Sequence, residues 1–225
     1  MIEPVSAMTR PQTDVPDRPI LRGYSHLAAA IVAPFALLIL LLVADSPRAT
    51  VGGGIFGSSL IILYSTSSVY HLAPLGDRPR ALVRRLDHSS IFVFIAATYT
   101  PFALMLLSNG WSISVLSVVA GMAGVGVTLS LVAPAAPRWI RVVLYLTLGW
   151  VGVFAVFELW DALPGRAFAL LLLSGILFSL GGAVYAARRP DLFPRVFGYH
   201  EMFHALQITA TGVVYSVVLI YVLPS

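Results

Sequence analysis

The sequence predicts an all-α polytopic membrane protein of seven transmembrane helices. Three observations carry this. The chain has 225 residues, of which 58% are hydrophobic and 11% charged, with a mean hydropathy of +0.89. A soluble domain has about 25% charged residues. Seven apolar stretches approach or exceed the roughly twenty residues needed to cross a hydrocarbon core of about 30 Å. Finally, the arginines are distributed very unevenly between the two sets of loops.

Residues 1–22 are rich in Pro, Asp, Arg and Thr and read as a disordered cytoplasmic tail. The first apolar stretch, Ser25–Ala44, is too long and too late for a cleaved signal peptide and reads as the first span. The others are Val51–Leu72, Leu86–Leu107, Trp111–Ala133, Ile140–Leu159, Arg166–Ala187 and His200–Leu223. They make residues 23–225 one transmembrane domain. Short loops predict that neighbours in sequence are antiparallel neighbours in space. Gly52-Gly53-Gly54, Gly121-x-x-Gly124-x-Gly126 and Gly181-Gly182 read as sites of close helix approach. None follows a strand, so none is a phosphate loop.

All fourteen basic residues are Arg. Twelve fall on one side: Arg10, Arg18, Arg22, Arg78, Arg80, Arg84, Arg85, Arg138, Arg141, Arg188, Arg189 and Arg195. Only Arg48 and Arg166 fall on the other. Positive loops stay inside, so the N-terminus is expected in the cytoplasm and Pro224-Ser225 outside. The net charge of +4 then faces anionic lipid heads. No nucleic-acid motif is present.

On this frame all five histidines and Asp87 lie near the cytoplasmic edge, at the ends of spans one, two, three and seven. The chain has no Cys, so a transition metal must use His, carboxylate or water. His200 and His204 are four apart, hence on one face of a helix. With His71 they can supply a three-histidine zinc site if spans two and seven meet. Such a metal acidifies its bound water to a pKa of about 7 and polarises a carbonyl. Asp87 is the candidate base; the plainer role for it is capping span three at its start. Ser67, one turn deeper than His71, can touch the water, or simply pack between helices. His200-Glu201-x-x-His204 also spells the protease box in which the Glu is the base. Glu201, however, points about 100° from His200 around the helix, and pairing with an inner-side Arg is its plainer role.

Ser67-Ser68-Val69-Tyr70-His71, Leu86-Asp87-His88-Ser89-Ser90-Ile91 and His200-Glu201-Met202-Phe203-His204 resemble the hemolysin III family. That family is the bacterial branch of the progestin and adipoQ receptor superfamily, which is related to the alkaline ceramidases. Ser25-His26, Thr98-Tyr99-Thr100-Pro101 and Gly149-Trp150 extend the match from span one to span seven. The resemblance implies seven helices in a bacterial plasma membrane, N-terminus inside, with Zn²⁺ held near the cytoplasmic face. Its zinc histidines map onto His71, His200 and His204, and its serine and aspartate onto Ser67 and Asp87. Leu27-Ala28-Ala29-Ala30 replaces the Gly-rich stretch that often follows the first-span His in relatives. Leu21-Arg22-Gly23-Tyr24 lacks the acidic residue often found before it. His26 is therefore read as structural or as a partner of a ligand, and His88 as a loop-facing neighbour of the site.

Two functions are consistent with these features. One is a zinc-dependent hydrolase of lipid amides or esters, ceramidase-like, acting on membrane lipids. The other is a non-enzymatic protein with structural zinc, acting in signalling or membrane homeostasis. Cytolysis by pore formation fits less well, because the mid-membrane faces are almost wholly Leu, Val, Ile, Ala and Phe.

Overall fold

The computed structural model describes residues 19–193 and 195–224. Residues 1–18, most of the expected tail, lie outside them, as does Ser225. The described residues form eight α-helices: α1 Tyr24–Val43, α2 Pro47–Leu72, α3 Asp77–Leu106, α4 Asn109–Val132, α5 Arg138–Gly149, α6 Val156–Ala162, α7 Gly165–Ala187 and α8 Tyr199–Val217. A 3-10 turn, Val151–Ala155, joins α5 to α6 into one span, and the last turn of α8 loosens into a π-helix, Val218–Val222. Seven helices are thus long and apolar enough to cross a membrane. The span count and order agree with the expectation. Consecutive helices α1, α2, α3 and α4 pack as neighbours, α7 packs on α8, and α8 also touches α1.

The third span starts nine residues earlier than the hydropathy pattern predicts. Its N-cap is Gly76, and Asp77 takes the acidic place in the first turn. The segment 77–85 carries four arginines and reads as a loop, yet Arg is a good helix former and the helix simply runs on beyond the apolar part. Asp87 therefore lies in the third turn of α3. The capping role considered for it is excluded, because every backbone N–H there already has a helical partner.

Two of the sequence motifs turn out to be one joint. Pro101 inside α3 has no N–H and leaves the Ala97 carbonyl without its usual partner. The Thr100 hydroxyl donates to that carbonyl instead. Two residues before Pro101, the Tyr99 hydroxyl shares its one proton between the carbonyls of Leu148 and Gly149 (3.0 and 2.6 Å) and accepts from the Gly152 N–H at 3.2 Å. It fills the gap where α5 breaks into the 3-10 turn. In lipid an unbonded backbone group has no water to turn to, so Tyr99 allows the fifth span to break. Trp150, at the break, is held by an Nε1–H bond to the Ser179 hydroxyl on α7 (3.0 Å).

The glycine expectation holds in part. A Cβ at Gly52 would lie 2.8 Å from the Pro101 Cα, and one at Gly126 would run into the buried Phe92 ring. Gly121 and Gly124 have nothing within 4 Å and bring no helix close.

Replacing Gly52 by Ala should therefore force α2 from α3 against backbone that cannot yield. A loss of about 1–3 kcal/mol is expected, read as a lower melting temperature of the purified protein in detergent. Gly121→Ala should melt within error of the wild type.

Candidate metal centre and its surroundings

The polar side chains converge at the arginine-rich end of the bundle. His71 comes from the last turn of α2, His200 and His204 from the first turns of α8, Asp87 from α3 and His26 from the first turn of α1. α8 begins at Tyr199 because Gly198 caps it: the Glu201 carboxylate accepts from the Gly198 N–H at 2.9 Å. Asp191 accepts from the Tyr199 N–H at 3.2 Å. These two bonds set the phase of the helix that carries both histidines.

The ligand atoms of His71, His200 and His204 all lie within 4.8 Å of one another. Nε2 of His71 and Nε2 of His200 are 3.2 Å apart. A tetrahedral zinc with bonds of 2.0–2.1 Å holds its ligand nitrogens about 3.3 Å apart. Nδ1 of the buried His204 has no hydrogen-bond partner. A buried imidazole nitrogen left so is costly, and a metal bond to it would remove that cost. The residues therefore fit a metal ion. Among the described residues these three make the metal-competent group, and Asp87 is not part of it.

Around the ligands is a second layer. The ring of His26 stacks on that of His204, with centroids 3.7 Å apart and planes inclined by 9°. Its Nδ1 lies 2.7 Å from the Ser67 Oγ, and Ser67 in turn faces the Asp87 carboxyl across the same cavity. A Ser67 O–H turned to a carboxylate at Asp87 donates to it and leaves the Ser67 oxygen to accept from a His26 Nδ1–H. Ser67, Asp87, His26 and His204 are all buried. The expectation that His26 partners a ligand rather than serving as one matches this placement. His88 is not loop-facing. It lies within α3, lines the same cavity as Asp87, and its carbonyl accepts from the Tyr145 hydroxyl at 3.0 Å.

Glu201 is only 3% exposed and forms an ion pair with Arg22. Both its oxygens are thus engaged, one by Arg22 and one by Gly198. It does not line the cavity, so the protease reading of the box has no base. Arg22 brings a clasp of its own. Ile20 and Leu21 donate backbone bonds to the carbonyls of Arg195 and Val196 (3.0 and 3.3 Å), tying the start of α1 to the loop before α8. Gly23, at φ +87°, then lets α1 start against His71, where a Cβ would lie 2.6 Å from the His71 Cβ.

The metal group, Ser67, Asp87 and His88 share a polar cavity of about 270 Å³ with Arg22, Arg84, Arg138, Arg141, Tyr145 and Tyr185. Deeper in the bundle lies an apolar cavity of about 210 Å³ between α3, α5, α7 and α8. Ile91, Tyr145, Phe203 and Gln207 line both, so the two abut. Trp150, Val153 and Leu172 line the apolar cavity and are also exposed on the outside of the bundle. It therefore reaches the lipid-facing surface.

Residues 16–215 match the family described as Haemolysin-III related. The chain belongs to that family. It is 30% identical over 225 residues to Hemolysin-3 of Bacillus cereus, covering 97% of each chain. It is 28% identical over 205 residues to a Hemolysin-3 homolog of Bacillus subtilis, covering 90% of this chain and 93% of that one. Heptahelical transmembrane protein 4 of Arabidopsis thaliana is 25% identical over 182 residues, which are 73% of this chain and 47% of that protein. The bacterial matches and the heptahelical plant relative bear out the resemblance to hemolysin III and its receptor superfamily. This hemolysin III member is a multi-pass membrane protein.

Glu201→Ala removes the partner of Arg22 and the cap of α8 together. A loss on the order of 3 kcal/mol is expected for breaking a buried pair, seen as a lower melting temperature. Glu201→Gln keeps an acceptor for Gly198 and should lose less. If either variant retained full stability, the clasp would be ornamental.

Proposed function

We propose that this protein is a zinc-dependent hydrolase of lipid amide or ester bonds, working at the cytoplasmic face of the membrane. The observation that carries the reading is the convergence of three imidazoles beside a buried Ser67–Asp87 pair, at the point where a polar cavity meets an apolar one open to lipid. Zinc at His71, His200 and His204 supplies a Lewis acid and an acidified water when bound. Everything else falls to the chain. The apolar cavity takes the acyl chain and leaves the carbonyl at its polar end. Asp87 takes the proton of the water as its oxygen adds to the carbonyl carbon, and returns it to the departing nitrogen or oxygen as that bond breaks. The products are a fatty acid and an amine or alcohol. Ser67 holds the Asp87 carboxyl in place and links it to His26, which in turn holds His204. The distribution of arginines supports the cytoplasmic placement, since the site lies at the arginine-rich end.

Two variants separate binding of the metal from the chemistry. His200→Ala should abolish both zinc content, measured by elemental analysis of the purified protein, and release of fatty acid from lipid amides. Asp87→Asn should keep zinc near one per chain and lower release about 10²-fold or more. Zinc bound at full stoichiometry by a wild type that turns over no lipid amide or ester would defeat the hydrolase and leave a structural metal. Ser67→Ala should keep zinc and slow release by about 10-fold or more, as expected when a supporting hydrogen bond is lost.

A further inference from the structure

The rule that positive loops stay inside accounts for arginines in water beside lipid head groups. Arg141 does not sit there. It is 7% exposed, its Nε has no hydrogen-bond partner, and Nη1 reaches the Pro134 carbonyl only at 3.5 Å. Arg138, nearly one turn earlier on α5, lies over the Tyr185 ring, 4.6 Å from its centroid, and donates to the Tyr185 carbonyl at 3.1 Å. Both occupy the first turn of α5, where the positive end of the helix dipole disfavours cations. Arg84 borders the same cavity from α3. Among the described residues the ion pair is Arg22–Glu201, so none of these three arginines has a carboxylate partner. Asp87 is the one acid lining the cavity, and Ser67 engages it. A buried guanidinium without a counter-charge is costly, and a helix start is a poor place to keep Arg141 so, with the half-buried Arg138 beside it, unless something negative comes to them.

We infer that Arg138 and Arg141, with Arg84 at the rim, recognise the anionic headgroup, phosphate or carboxylate, of a lipid whose chain occupies the adjoining apolar cavity. The guanidinium fork matches either group. Arg141 and Tyr145 stand one turn apart on α5, and Tyr145 lines both cavities, so the charge binds beside the mouth of the acyl cavity. An uncharged head leaves Arg141 unpaired and is disfavoured. For the hydrolase this names the substrate class as lipid amides or esters with a negative head, and to that extent it rests on the proposed activity. As a binding site it stands without it.

The test uses the full-length protein in a neutral detergent with radiolabelled hexadecyl phosphate as probe. Hexadecanol should compete at least 10-fold more weakly than unlabelled hexadecyl phosphate. Palmitate should compete within a few-fold of it, and inorganic phosphate only at far higher concentration. Arg141→Gln should bring the charged and uncharged amphiphiles to within about 3-fold, Arg141→Lys should recover part of the difference, and Arg166→Gln, at the other end of the bundle, should leave it unchanged. Should Arg141→Gln not fold, Arg138→Gln carries the same comparison. Equal competition by hexadecanol overturns the inference, as does a preference that survives both Arg138→Gln and Arg141→Gln. Inorganic phosphate competing as well as the amphiphile would assign the site to a soluble anion and overturn it too. His200→Ala should keep the preference. Losing it there while Arg141→Gln retains it would assign the anion to the metal instead. Preference without hydrolysis sinks the hydrolase alone, and hydrolysis without preference sinks this inference alone.

Discussion

A polar side chain inside a membrane bundle must find its partner within the bundle. That constraint organises this protein. His26, Ser67, Asp87, His200, His204 and His71 come from four helices and meet in one layer near one end. Each is costly alone in an apolar surrounding. Together they form two connected sets: a serine that joins an imidazole to a carboxyl, and three imidazoles close enough to share an ion. The stacking of His26 on His204 joins the sets. Helix contacts elsewhere are mainly apolar, with single polar ties such as Tyr99 to the fifth span and Trp150 to Ser179; this layer joins four helices at one height.

Holding the layer requires that α1 and α8 start at fixed places. The chain does this with groups that do no chemistry. Glu201 caps α8 and pairs with Arg22, and the backbone of Ile20 and Leu21 bonds to the loop before α8. The side chain that sequence patterns single out as a catalytic base is thereby the fastener of the site. At the far side of the cavity Tyr99 does similar work, bonding the broken backbone of the fifth span and so shaping the apolar cavity it lines.

The fold and the inner half of the site were legible in the sequence because they depend on depth and helical phase. Seven apolar runs, an arginine asymmetry and a four-residue spacing put His71, His200 and His204 at one height, and hydropathy does not blur that. What stayed hidden depends on side-chain reach between helices. The partners of His26 and of Tyr99 could not be read from one strand of text. A capping role stood beside the base role for Asp87 because a charged segment, 77–85, hides the true start of α3. His88 looked loop-facing for the same reason. Arg138 and Arg141 were seen and counted, but topology absorbed them; their place in the first turn of a helix, against its dipole, was the signal that they stood apart.

The two cavities differ in what they can exclude. An apolar cavity discriminates weakly between chains, because one methylene more or less changes little. A buried charge discriminates strongly, because the wrong head leaves it unpaired. On the proposed reading, selection among lipid heads therefore falls to the polar end, within the same cavity as the three histidines. The selective contact and the reacting bond then share the polar cavity, and Tyr145 and Gln207, which line both cavities, stand where it meets the acyl cavity. A change at Tyr145 or Gln207 acts on both compartments at once. Changes deep in the apolar wall act on one.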